Sequence, residues 1–342
     1  MRELLRTSVP LLIAFMVLSA PRAVAHEGWG IVVAPAGQVY FSDIPANTIW
    51  RISQGKVEKA AAGKHSHALV LNAAGDLYGT HPHLTLPIYS VWRLSPEGQL
   101  SDVIPPTRNF PLGLQSFLMD GKGNIYSANA RNAQTPELLL LRRSPEGRIT
   151  TLAGSTVGHE DGVGSEARFL NIDGMAWGPD GALYVADGPY VRRVSLDGSV
   201  TRLSAGPLTE VKWGEDLLGL ALDANGNVYV ADYSNRRIRK LTPAGEVSTL
   251  TSTGVLWAPT GIAVATDGLY TLEHLRMPLA ILGDLGVGPY VRVRKISSDG
   301  TVTELARIWG RRSGLVGSVA TVMVALVVAI VRFRRKARSP RV

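Results

Sequence analysis

Four of the chain's seven histidines, His65, His67, His81 and His83, fall within one stretch, GKHSHALVLNAAGDLYGTHPHL, residues 63–84. Neutral imidazole nitrogens ligate zinc and related divalent ions, and they take or give a proton near neutral pH. The stretch alternates apolar and polar residues on either side of a Gly-containing turn, the pattern of an antiparallel hairpin. In such a hairpin His67 starts the first strand and His81 ends the second, so the two share one edge. His65 and His83 are expected to flank them on loops. The chain has no cysteine, which excludes disulfides, thiolate metal sites and a cysteine nucleophile. Nor does it contain a Gly-x-Ser-x-Gly elbow, a phosphate loop or a dinucleotide fingerprint.

The hairpin is one of six. GIVVAPAGQVYFSD, ALVLNAAGDLYGTH, SFLMDGKGNIYSAN, GMAWGPDGALYVAD, GLALDANGNVYVAD and GIAVATDGLYTLE share an apolar run, a Gly turn and a second run centred on a tyrosine. The tyrosines, Tyr40, Tyr78, Tyr126, Tyr184, Tyr229 and Tyr270, are spaced by 38, 48, 58, 45 and 41 residues, the interval of a repeat array. Each unit continues with a third run of alternating basic and apolar residues, such as NTIWRIS or VRVRKIS. In units two to six a tight turn and a fourth run follow. Six sets of four antiparallel strands predict an all-β protein, a six-bladed β-propeller over residues 26–308.

In that fold the starts of the first strands and the ends of the second strands meet at one channel mouth. The starts are Trp29, His67, Gln115, Asp173, Leu218 and Thr260. The ends are Asp43, His81, Asn129, Asp187, Asp232 and Glu273. Asp43, Asp187 and Asp232 each open a turn and are expected to accept backbone N–H bonds there. Gln115, Asn129 and Glu273 are candidate ligand-binding residues. His67, His81, Asp173 and Glu27 are candidate ligands for a divalent ion (Ca, Mg or Zn), with Asp173 and His81 as the groups that would move a proton. A metal there would polarise a carbonyl or a bound water, and a lactone or ester would be the substrate class.

The segments 152–194 and 218–250 resemble NHL repeats, and EGWGIVVAPAGQVYFSDIPANTIWRI resembles the first blade of the senescence marker protein/gluconolactonase family. The resemblance spans about residues 27–306. It implies a metal held by a Glu near the first blade's start, two Asn and an Asp at inner-strand starts. Glu27 matches the Glu and Asp173 the Asp, while His67 and Gln115 stand where that family places Asn. Peptide-amidating lyases put His at three ring positions, of which His67 matches one. TGIAVATDGLYTLEH, with Glu273 and His274, resembles streptogramin lyases.

The ends of the chain predict its location. Residues 1–25 have a basic start, an apolar core and the small residues Ala23 and Ala25 of a signal-peptide cleavage site. Residues 313–331 carry no charge over 19 residues, close to the roughly 30 Å of a bilayer core at about 1.5 Å per helical residue. A basic tail, 332–342, follows and favours the cytoplasmic side. That tail carries six of the net +8 charges and the first 25 residues two, so residues 26–331 are neutral overall. The balance gives no footprint for nucleic acid. The expected protein is an extracytoplasmic propeller anchored by a C-terminal transmembrane helix, binding a small molecule or a partner protein at its mouth. The alternative is a metal-dependent lactonase-like hydrolase.

Overall fold

A computed structural model describes residues 28–83, 88–107, 116–129, 136–209, 217–275 and 291–308. The signal segment, Glu27, Gln115, the span at 313–331 and the basic tail lie outside these residues. No helix among the described residues is long and apolar enough to cross a membrane.

The six repeats form six separate antiparallel sheets, covering residues 31–62, 69–107, 118–156, 162–202, 217–252 and 257–308. Each is built from four consecutive strands, and the innermost is the first in sequence. The fourth sheet adds a two-residue strand, Gly162–Val163, at its outer edge against Ser199–Arg202. The repeating tyrosine has a structural reason. Its hydroxyl bonds the acidic residue of the inner hairpin turn, as in Tyr126 to Asp120 at 3.2 Å, Tyr184 to Asp180 at 3.3 Å, Tyr229 to Asp223 at 3.1 Å and Tyr270 to Asp267 at 2.9 Å. Burial and the adjacent Asp223 push the Tyr229 phenol up to about 12, so it remains a donor at any physiological pH.

The ring closes without strand exchange. Blade six is made wholly of strands from 257 to 308, and its Ala263, Leu272 and Val293 form one apolar cluster with Ile31, Val39 and Phe41 of blade one. Burying such side chains is the driving force for closure. Small residues open the inner strands because neighbouring backbones nearly touch at that level. A Cβ on Gly174 would collide with the Leu218 carbonyl, on Gly219 with that of Thr260, and on Gly261 with that of Trp29. In blades five and six the same level carries β-bulges, between Leu217 and Leu220 and between Pro259 and Gly261, which bend the strand toward the axis.

Candidate functional site

Two polar pairs stand at the inner-strand starts. In blade two, His65 and His67 are both buried and their Nε2 atoms lie 3.3 Å apart. In blade four, Asn171 Nδ2 donates to Asp173 Oδ2 at 2.5 Å, and Asp173 is also buried. The pairs are equivalent: in each, a residue two places before the strand start reaches forward to the start residue. His65 is therefore a buried partner rather than an exposed loop residue. His83 likewise lies within a strand, Leu77–His83, paired with Ile88, because the second strand of blade two runs longer than its turn residues suggest.

The second-strand ends share one duty, satisfying the loop or strand that passes over them. His81 Nδ1 accepts the His65 backbone N–H at 3.0 Å. At the same place in blade four, Asp187 Oδ1 accepts from Leu170 at 2.6 Å and Asn171 at 3.0 Å. Asp43 accepts from the Ala46 N–H and from Trp50 Nε1. Asn129 accepts the Leu139 N–H and donates to the Glu137 carbonyl. Asp232 accepts from Arg237 Nε at 2.6 Å and Thr209 at 2.9 Å. Glu273, fully buried, accepts from Arg292 Nε at 2.7 Å and Arg294 Nε at 2.6 Å.

Burial sets the electrostatics. Desolvation pushes the Asp187 carboxyl up to about 6, opposed by the loop N–H groups and by Arg192, whose Nη1 lies 2.9 Å away. Arg192 is itself wholly buried, with Asp161 Oδ1 2.7 Å from Nη2 and the Phe169 ring beneath its guanidinium. His274, beside Glu273, is buried completely, which drives its imidazole down to about 3. It is a neutral group facing Thr260 Oγ1 at 3.0 Å.

Below the mouth runs the central channel, with a volume of about 500 Å³. Its lining comes from the innermost strands of all six blades and is aliphatic or aromatic apart from Asn72. Trp29 lies where mouth and channel meet. It lines the cavity, its Cβ packs against the Gly219 position of blade five, and its ring centroid is 5.4 Å from that of His67 in blade two. Trp257, in contrast, is taken up in packing, with the Arg292 guanidinium 4.3 Å from its ring centroid. His65 and Asn171 are thus the site-forming residues whose roles in the site the sequence left unread, whereas Trp29 stands at the mouth where its place in the repeat puts it.

Among the described residues no three His, Cys, Asp or Glu side chains are grouped to hold an ion. His67 turns to His65 and Trp29, Asp173 to Asn171, and the strand-end carboxylates to arginines or backbone N–H groups. Glu27 and Gln115 lie outside the described residues.

The model of the family described as SMP-30/Gluconolactonase/LRE-like region matches residues 28–272. A segment of 118 residues, 32% of this chain, is 29% identical to Teneurin-m of Drosophila melanogaster, of whose length the match spans 4%. Among solved structures, a gluconolactonase from Xanthomonas campestris is 14% identical, covering 72% of this chain and 83% of its own, with a TM-score of 0.53. A chain of the nidogen/laminin complex is 16% identical, covering 80% of this chain and 92% of its own, also at 0.53. At these identities the structures share the fold alone.

Proposed function

The chain belongs to the SMP-30/gluconolactonase/LRE-like family, and from that premise we propose that it is an extracytoplasmic binding propeller that holds a small molecule where the mouth meets the channel. The observation that carries this reading is the position of Trp29, set between the pairs at the mouth and a channel of about 500 Å³. That volume suits a small organic ligand. The strand-end acceptors Asp43, His81, Asn129, Asp187, Asp232 and Glu273 hold the walls, and His67 and Asp173 stand at the entrance. The apolar stretch at 313–331 anchors the propeller in a membrane with the basic tail in the cytoplasm. Deleting residues 309–342 is expected to move the protein from the membrane to the soluble fraction.

The test is a ligand-induced melting shift on the full chain in detergent, screened with small neutral molecules, beside His67→Ala and Asp173→Ala. The expected result is a saturable shift that weakens at least fivefold in concentration dependence in one or both variants. Equal shifts in all three proteins would refute a site at the mouth. A second reading, hydrolysis of a lactone or ester, is favoured by one observation: Asp173 stands buried at the inner-strand start with its carboxylate oriented by Asn171. In that reading Asp173 or His81 moves the proton, Glu27 joins His67, His81 and Asp173 as ligands of a divalent ion, and Gln115 contacts the substrate.

A further inference from the structure

The channel discriminates ligands by charge and by hydrogen-bonding pattern. Asn72 contributes the lining's one polar side chain among the described residues, and its amide is already engaged. Its Oδ1 accepts the Asp76 N–H at 2.8 Å and its Nδ2 donates to Asp76 Oδ2 at 3.0 Å. The remaining polarity comes from the inner backbone edges of the first strands, which are neutral dipoles. A carboxylate or ammonium moved into this space would lose its hydration and meet no counter-charge. The channel therefore selects against ions.

A second, independent feature points to what the ligand carries. Trp29 is 8% exposed, and its Nε1–H is buried with no hydrogen-bond partner among the described residues. Buried donors are nearly always paired, and an exception calls for an explanation. The neighbouring contacts do not supply one. The Trp29 backbone N–H donates to the His67 carbonyl at 2.9 Å, but the indole meets His67 only ring to ring. Other indoles among the described residues are satisfied, the buried Trp92 by Ser66 Oγ at 3.1 Å and the partly buried Trp177 by the Met119 carbonyl at 2.8 Å. Trp29 alone of these three sits at the head of the channel with its donor unused.

We infer that the channel binds an uncharged, mainly apolar molecule bearing a carbonyl-type acceptor, with the acceptor taking the Trp29 Nε1–H and the apolar body lying among Leu69, Leu118, Met175, Leu220 and Ile262. Because Nε1 is buried in the ligand-free chain, binding requires the indole to turn so that the donor meets the acceptor. This inference rests on the binding reading above and adds the chemical class. It also separates the roles of the two levels: His67 and Asp173 stand at the entrance, and Trp29 reads the ligand.

The experiment is calorimetric titration of the full chain in detergent with three probes: 2-octanone, octanoate at pH 7.5 and glucono-δ-lactone. The ketone and the carboxylate have the same number of carbons and differ in charge. The sugar lactone has the acceptor but a polyhydroxylated body. The expected order is 2-octanone tightest, with octanoate and glucono-δ-lactone each at least tenfold weaker. Trp29→Phe keeps the ring and removes the donor, and is expected to weaken 2-octanone about three- to tenfold, the worth of one hydrogen bond. Octanoate or the sugar lactone binding as tightly as the ketone overturns the inference, as does an unchanged ketone affinity in a folded Trp29→Phe protein. Should Trp29→Phe fail to fold, the order of the three probes on the wild-type chain still decides. None of these probes saturating a chain that other small molecules stabilise would overturn the class inferred here while leaving the binding reading intact.

Discussion

Blades two and four solve the same structural problem with opposite chemistry. Each must satisfy the loop that enters its innermost strand, and each does so from the end of its second strand, with His81 in blade two and Asp187 in blade four. Each fills the same place in its third strand with a large side chain that is wholly buried. In blade two that is Trp92, opposite Gly79. In blade four it is Arg192, opposite Val185. At this place blade two is neutral and aromatic, with Gly79 making room for the Trp92 ring. Blade four is ionic, with Asp187 and Asp161 around one guanidinium. The fold requires an acceptor and a filler at these positions and is indifferent to their charge. What the two blades place at the strand start, His67 or Asp173, is under no such requirement, and it is there that function has room to act.

The comparison can be broken most sharply at Arg192. Replacing it with Leu leaves Asp187 buried and unpaired, and denaturant unfolding should register a loss of about 3–5 kcal/mol. Trp92→Leu leaves no charge behind, so its cost should be a cavity cost only, about 2–4 kcal/mol. Equal costs with the same pH dependence would erase the distinction between the blades.

Acid sharpens it next. His274 is neutral in the folded state, its imidazole driven down to about 3 by burial, against about 6.5 in the unfolded chain. Between those values the unfolded chain takes up a proton that the folded one does not, so stability falls as pH drops below about 6.5, by up to about 1.4 kcal/mol per pH unit. Asp187 acts in the opposite sense: with its carboxyl up at about 6, the folded state binds its proton first, which adds relative stability as pH falls toward about 4. Melting temperatures followed from pH 7 to 4 should therefore decline less in His274→Gln than in the wild type. An identical decline would remove His274 as its source.

Smaller effects probe the neutral blade. A Cβ on Gly79 would collide with the Trp92 ring and Ser66 Oγ, and Gly79→Ala should cost about 1–3 kcal/mol. His81→Phe removes the acceptor for one loop N–H and should cost about 1–2 kcal/mol. His81→Asn, which can accept at the same distance along the side chain, should recover most of that loss.

The repeat itself was open to reading because its determinants are local. An alternating run, a Gly turn and a tyrosine recur within about a dozen residues each time, and in units three to six the tyrosine bonds the turn acid. The ring positions followed from that alignment, and the acceptor role of Asp43 and Asp232 from their turns, whereas Asp187 accepts from the loop at Leu170 and Asn171 rather than from its own turn. Non-local facts were hidden. Arg192 and Arg193 are adjacent in YVRRV, yet Arg192 is fully buried while Arg193 reaches the half-exposed Asp180. Which of the two turns inward depends on the 157–169 loop folding over blade four, an insertion whose two-residue strand is too short to show a pattern. Trp29 is set by ring closure, when blades five and six come within reach of a residue at the far end of the chain. The pairing of His65 with His67 needed the same three-dimensional register as Asn171 with Asp173, two residues apart on segments that precede the strands Leu69–Leu71 and Met175–Trp177 and carry no periodic mark.

The central claim is that this propeller holds its small molecule and releases it unchanged. Its most direct test is to incubate the full chain with neutral lactones and esters, with Ca, Mg or Zn supplied, and to quantify ester and acid over time by chromatography. The account predicts a saturable bound fraction recovered intact, with acid forming no faster than in buffer. Acid accumulating at a rate that requires the metal and disappears in Asp173→Ala would contradict it and identify the chain as a hydrolase.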